Sequence, residues 1–348
     1  MTNQPTHCDI FCVVVDNYGD AGVCWRLANQ LAGEHGWRVR LWIDDPAPLR
    51  LLAPDHASGP VEVQPWPQAR PGNGCADVVI EAFACELPAP YIEAMTQRPQ
   101  PPVWLNLEYL SAESWVAGCH GLPSPHPRLP LRKHFFFPGF GPGTGGLLRE
   151  RDYDEKRARF DAAAFRAEFD LPPKAADELT ISLFSYPDNT ALPGLLASWA
   201  ASPTPVRVLR PGSGEAARTT GNLSLHPLPF LPQVRYDELL WACDLNFVRG
   251  EDSFIRAQWA AKPFVWQIYP QAEDAHRVKL DAFLALHPAG EKLRPFWHAW
   301  NGVGETDWPA FAKALPGLVA PMRQWADTLT ARRDLAAELV HFCRERLK

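Results

Sequence analysis

The stretch from Trp241 to Trp259 constrains this chain most. The run Leu245 to Val248 reads as a short strand. Gly250 then makes a tight turn, and a helix opens at Asp252 or Ser253, with Ile255 and Trp259 one turn apart on its apolar face. Asp or Ser serves as its N-cap. A strand that feeds a helix N-terminus in an α/β protein points backbone N–H groups at the ligand crevice, and phosphate is the usual occupant of such a place. Arg249 sets a fixed cationic fork beside those donors. The plainer alternative is an ordinary strand-to-helix junction carrying a surface arginine.

A second junction lies near the start. Asp9 to Val15 is β-rich without polar alternation, as a buried parallel strand requires. It ends in Asp16-Asn17-Tyr18-Gly19-Asp20, and Val23, Leu27 and Leu31 follow at helical spacing. This is the first βα unit of a Rossmann-like half, although the dinucleotide fingerprint Gly-x-Gly-x-x-Gly is absent. Two carboxylates in a turn at a strand's C-terminal end suit a ligand crevice, and they equally suit capping of the turn and helix.

Further strands are expected at Trp37–Ile43, Asp77–Glu81, Val103–Leu107 and His134–Pro138, then at Leu179–Phe184, Val206–Leu209, Leu223–His226 and Lys262–Trp266. The glycine run Gly139 to Gly146 lacks a following Lys-Ser/Thr and reads as a mobile loop at the cleft mouth. Arg149 to Phe169 reads as a charged helix bridging two halves, and Asp307 to Lys348 as a helical tail. With 348 residues, two domains are expected: 1–170, binding an acceptor, and 171–348, binding a nucleotide sugar, with the last helix free to pack back on the first. Two Rossmann-like halves facing a cleft, the second with an anion-binding helix start, describe an α/β chain of GT-B glycosyltransferase architecture. Epimerases and other nucleotide-binding enzymes share that plan.

Composition narrows the classes. The chain is 46% apolar and 21% charged, as soluble globular proteins are. No apolar run approaches the ~18 residues that span a bilayer, and no signal-peptide pattern is visible, so no membrane partner is expected. Eight cysteines without Cys-x-x-Cys or zinc spacing read as reduced core residues of a cytoplasmic protein. The net charge of -6 argues against a nucleic-acid binder and mildly favours a basic partner.

Several segments together resemble one family. They are Asp16 to Leu27, Trp104 to Glu113, Phe136 to Phe140, Phe184-Ser-Tyr186, Pro229 to Gln233, Arg249 to Ser253 and Gln271 to Leu280. The chain is similar to the EarP family, bacterial protein-arginine rhamnosyltransferases that modify translation elongation factor P. The resemblance implies dTDP-β-L-rhamnose as donor, inversion at the anomeric carbon, one arginine of elongation factor P as acceptor, and a cytoplasmic location. It also implies a catalytic need for Glu251.

The chemistry fits these residues. Guanidinium is a weak nucleophile, with a pKa above 12 and delocalised lone pairs, so a carboxylate must take its proton as the C–N bond forms. Asp20 is the expected base and Asp16 the carboxylate that orients the guanidinium fork. Asn17, Tyr18 and Gly19 between them are assigned to substrate binding. Arg249 and the helix start at Asp252-Ser253 absorb the leaving diphosphate's charge, so no metal and no other cofactor is expected. Glu251 and Asp252 would repel phosphate, and accept from sugar hydroxyls or orient Arg249 instead. Phe184, Tyr186 and Phe230 offer faces for thymine and Gln233 reads its edge; core packing is the alternative for the rings. An epimerase-like enzyme without a protein acceptor, and a non-catalytic nucleotide-sugar-binding partner of a translation factor, remain the competing classes.

Overall fold

The computed structural model describes residues 4–16, 18–66 and 74–347. It divides into two compact units, Met1–Arg151 with Thr330–Lys348, and Asp152–Leu329.

The first unit contains strands β1 (His7–Cys12), β2 (Arg38–Ile43), β3 (Val61–Pro65), β4 (Val78–Ala82), β5 (Val103–Leu107), β6 (Pro123–Pro125) and β7 (Arg132–Phe136). They form one sheet in the order β3-β2-β1-β4-β5-β7-β6, parallel except where β6 meets β7. β4 and β5 are buried along their whole length, and so is β1 after His7, which is why their sequences carry little polar alternation. The strand order reverses direction at β1 and β4, and in an open parallel sheet the crevice outside that reversal is where ligands bind. Helix α1 (Tyr18–His35) buries Val23, Cys24, Leu27, Ala28 and Leu31, the apolar positions whose spacing announced it. Helices α2 (Ala47–Leu52), α3 (Ala89–Thr96) and α4 (Val116–Cys119) complete the unit's main body.

The second unit begins earlier than position 171. The charged segment forms two helices, α5 (Tyr153–Arg159) and α6 (Ala162–Glu168), because Asp161 caps α6 by accepting from the N–H groups of Ala163 and Ala164. Both helices pack inside this unit. The Tyr153 hydroxyl accepts from Trp241 Nε1 at 2.8 Å, and Phe160 packs edge-on to Trp241. Arg166 and Arg207 flank the buried Glu178, each at 3.0 Å. The boundary therefore falls after Arg151, with the bridging segment built into the second core.

Strands β8 (Leu179–Leu183), β9 (Val206–Pro211), β10 (Arg218–Thr220), β11 (Leu223–Leu228), β12 (Leu245–Arg249) and β13 (Phe264–Gln267) form the second sheet, ordered β10-β11-β9-β8-β12-β13. Only β10 is antiparallel, and the rest repeat the order of the first sheet, reversing between β8 and β12. Helices α7 (Leu192–Ala200), α8 (Gln233–Ala242), α9 (Asp252–Ala260), α10 (Ala275–Leu286), α11 (Gly290–Trp300) and α12 (Trp308–Thr330) accompany it. The core is aromatic: Phe254 stacks on Trp266, and Phe283 on Trp297. Most tryptophans of this unit serve packing, as Trp199, Trp297 and Trp300 do.

The last helix, α13 (Leu335–Arg344), belongs to the first unit. Asp334 caps it and also accepts from Gln30 Nε2 at 2.9 Å, while Leu335 N–H donates to the Leu147 carbonyl at 3.0 Å. That docking corrects the mobile-loop reading of Gly139–Gly146. Gly145 and Gly146 are buried, Gly145 N–H donates to Phe137 O at 2.7 Å, and Gly139 N–H donates to Gly146 O at 3.1 Å. Three strands of the chain went unread, β3, β6 and β10, all at or next to a sheet edge and short or polar.

Candidate active site

The first cluster lies where β1 ends and α1 begins. Asp20 occupies the third position of α1, and its Oδ2 reaches back to accept from the N–H groups of Val15 and Asp16, both at 2.8 Å. These bonds tie the acid to the turn before the helix, so Asp20 closes the β1–α1 turn and does not cap the first N–H groups of α1. Yet the carboxyl is 2% exposed. Burial pushes its pKa above the ordinary aspartate value, against the Asp16 and Val15 N–H bonds and a Tyr109 side-chain bond that favour the charged form, while nearby Asp44 adds to the rise. A cap has no need to be so dry. Asp16 is half-buried and its carboxylate folds back over Gly19, where an added Cβ would meet Oδ2 at 2.7 Å. A side chain at position 19 would force that carboxylate to shift. Tyr18 is half-buried at the helix start, and Asn17 lies outside the described residues.

The second cluster lies where β12 ends and α9 begins. Gly250 turns the chain with φ +63°, a left-handed value that suits glycine. The helix opens at Asp252, with Glu251 in the N-cap place and no side chain capping it. Ser253 therefore is not the expected cap. Its hydroxyl turns back to the preceding strand, accepting from Arg249 N–H at 3.1 Å and donating to the Arg249 carbonyl. The Asp252 carboxylate accepts from Gln233 Nε2 at 3.1 Å, which joins the first turns of α8 and α9. A buried bidentate pair, Arg256 with Asp237 at 2.6–2.7 Å, locks the same two helices one turn further on.

Arg249 is not a loose surface side chain. Its guanidinium carbon lies 4.2 Å from the Phe184 ring centre and 4.7 Å from that of Tyr186, and Nη1 donates to the Ser185 carbonyl at 3.0 Å. The two rings expected to face thymine thus each give one face to the arginine. Phe230 is half-buried, with its ring against the turn at Gly212. Sequence reasoning missed four neighbours. Tyr109 favours the charged form of Asp20, and Asp44 closes the β1–β2 edge by accepting from Val14 N–H at 2.9 Å. Gln267 accepts from Tyr186 N–H at 2.8 Å, and Tyr269 packs edge-on to Tyr186. The available signal was position: each lies at or just after a strand's C-terminal end. Among the described residues, no group of three or more His, Cys, Asp or Glu is arranged to hold a metal ion, and no helix is long and apolar enough to cross a membrane.

Known proteins resemble this chain along its length. The family model of the elongation factor P rhamnosyltransferase EarP matches residues 8–344. A protein-arginine rhamnosyltransferase of Pseudomonas putida is 48% identical over 97% of this chain and 99% of its own length. Another, of Neisseria meningitidis, is 41% identical over 81% of this chain and 79% of its own. A solved structure described as the structural basis for EarP-mediated arginine glycosylation of translation elongation factor EF-P has a TM-score of 0.67 and 33% identity, covering 98% of this chain and 99% of that one. Arabidopsis thaliana UGT89C1, solved with UDP-L-rhamnose, has a TM-score of 0.58 at 12% identity, covering 99% and 100%; that likeness concerns the GT-B fold alone. By fold and by a match along almost its whole length, the chain belongs to the EarP family of elongation factor P rhamnosyltransferases, and its activity class is that of a protein-arginine rhamnosyltransferase.

Proposed function

We propose that this enzyme transfers L-rhamnose from dTDP-β-L-rhamnose to one arginine side chain of translation elongation factor P, inverting the anomeric carbon, in the cytoplasm. The observation that carries the reading is the Asp20 carboxylate, buried at a parallel strand's C-terminal end with its Oδ2 on backbone N–H groups. Burial makes it a stronger base than a solvated aspartate. The match to the EarP family supports the choice of sugar and of acceptor.

The guanidinium nitrogen attacks the anomeric carbon as the bond from that carbon to the diphosphate oxygen breaks. The nitrogen's proton passes to Asp20, so charge and atoms balance in one displacement. Asp16 pairs with the guanidinium fork and holds the attacking nitrogen in line. Arg249 and the uncapped start of α9 stabilise the departing diphosphate, and no divalent metal is required. The rings of Phe184 and Tyr186 hold that guanidinium in place, and their remaining faces, with Phe230 and Gln233, serve the thymidine. Glu251 and Asp252 engage the sugar hydroxyls.

The test is mass spectrometry of purified elongation factor P after incubation with this enzyme and dTDP-β-L-rhamnose. The expected result is a gain of one deoxyhexose on a single arginine. Donor consumption without any acceptor would instead point to an epimerase-like enzyme, and tight donor binding without turnover to a non-catalytic partner.

A further inference from the structure

Helices α8 and α9 pack on each other, and two pairs of side chains join them. Gln233 and Asp252, each the first residue of its helix, form the first pair: Gln233 Nε2 donates to Asp252 Oδ2 at 3.1 Å. Asp237 and Arg256 form the second. They stand four residues further along, so each shares a helix face with its partner in the first pair. Arg256 Nε donates to Asp237 Oδ1 at 2.7 Å and Nη2 to Oδ2 at 2.6 Å, a bidentate fork. Both residues are buried, Arg256 to 1% exposure. The guanidinium carbon also lies 4.6 Å from the ring centre of Tyr153, itself buried, on α5.

Such a pair is a weak source of stability. Desolvating two charges costs about as much as their attraction contributes, and an apolar pair of similar shape often holds a fold equally well. What the fork has, and apolar packing lacks, is direction. Two parallel N–H bonds fix the distance between the helices and the axial register of one against the other. That register reaches the crevice. α8 carries Gln233, which holds Asp252, and Tyr236, whose ring packs edge-on to Phe184 with centroids 5.8 Å apart. Phe184 in turn lies on Arg249, and Ser253 of α9 bonds both the N–H and the carbonyl of Arg249. A slip of α8 along α9 would part Gln233 from Asp252 and draw Phe184 off the arginine.

We propose that Asp237 and Arg256 are positioning residues for the donor. Their buried fork sets the register of α8 against α9, and through it the places of Gln233, Asp252 and the Arg249 guanidinium. The proposal deepens the reading of the β12–α9 turn as the diphosphate site, and rests on it.

The test removes both charges together. Asp237→Leu with Arg256→Met copies the forked shape of one side chain and the straight stem of the other, and methionine sulfur packs well on a ring such as that of Tyr153. This double variant should melt within a few degrees of the parent. Its calorimetric affinity for dTDP should fall about tenfold or more, as when a charge-assisted contact is misplaced. The KM for dTDP-β-L-rhamnose should rise in step, and the KM for elongation factor P should not, since the acceptor is assigned to the first unit. A pair that served stability alone would leave the affinity of the folded variant unmoved. Arg256→Lys keeps the charge and loses the fork, so the same weakening is expected, and this variant decides alone if the double variant does not fold. Arg249→Ala is measured beside them. Full dTDP affinity in Arg249→Ala overturns the diphosphate site and this proposal with it. Weakened binding in Arg249→Ala, together with affinity within about twofold of the parent in the folded pair variant, overturns the role of Asp237 and Arg256 alone.

Discussion

Two strand-to-helix turns, each beside the point where its sheet reverses strand order, hold opposite charges by opposite means. At the β1–α1 turn a carboxylate gathers backbone N–H groups: Asp20 takes those of Val15 and Asp16. At the β12–α9 turn a guanidinium gathers two ring faces and a carbonyl, while Ser253 turns back to Arg249 and leaves the helix start without a side-chain cap. Both turns sit at a strand's C-terminal end, where parallel α/β sheets form ligand crevices. What differs is the charge each one presents. The first buries an acid, so it suits a cationic group. The second sets an arginine beside a helix start that no side chain caps, so it suits an anion.

The largest expected effect breaks the first turn. Asp20→Asn should lower turnover about 10²- to 10⁴-fold, the range of general-base contributions, and leave dTDP affinity unchanged. Asparagine can still accept the two N–H bonds. Because burial raises the folded-state pKa of Asp20, the charged carboxyl costs stability at pH values above that pKa, and the cost is relieved as pH falls through it. The neutral asparagine is free of that cost, so melting at pH 7 should not drop. Turnover within a few fold of the parent would transfer the base role to Asp16 or Glu251.

The next effect breaks the second turn. Arg249→Ala removes a charge-assisted contact of about 1.5–3 kcal/mol to the diphosphate, and calorimetry with dTDP should show affinity weakened about 10- to 150-fold. Arg249→Lys should not restore it, since an ammonium lacks the flat fork that lies between Phe184 and Tyr186. Full affinity in both variants would locate the nucleotide elsewhere. Smaller still is the pH effect on the parent enzyme. Its turnover should decline on acidification through a pKa above the ordinary 3.8 of aspartate, and a decline only at or below that value would show that burial of Asp20 does not tune the base. The smallest is expected to be nil: EDTA should leave turnover unchanged, because Arg249 and the α9 start provide the positive charge. Loss in EDTA with recovery on adding magnesium or manganese would sink that account.

What was legible in the chain follows from how far each signal reaches. The sequence by itself determined the buried strands and both turns. β1, β4, β5 and β12 carry apolar runs, and the pairing of Asp16 with Asp20, like the order Arg249-Gly250-Glu251-Asp252, lies within one helical turn of the chain. Such features rest on periodicity and on hydrogen bonds between near neighbours, which a linear pattern records. β3, β6 and β10 escaped because edge strands need no apolar run. Tertiary structure alone decided the remainder: Tyr109 on Phe83, Arg249 against two rings from the end of β8, the charged α5–α6 segment in the second core, and α13 against Leu147 and Gln30. Each of these joins segments distant in the chain, and their meeting depends on strand order, which places β4 and β5 beside β1, and β12 beside β8. Local propensity carries no record of that order; it is set, within each unit, by which strand arrangement buries the most apolar surface without leaving a buried polar group unbonded.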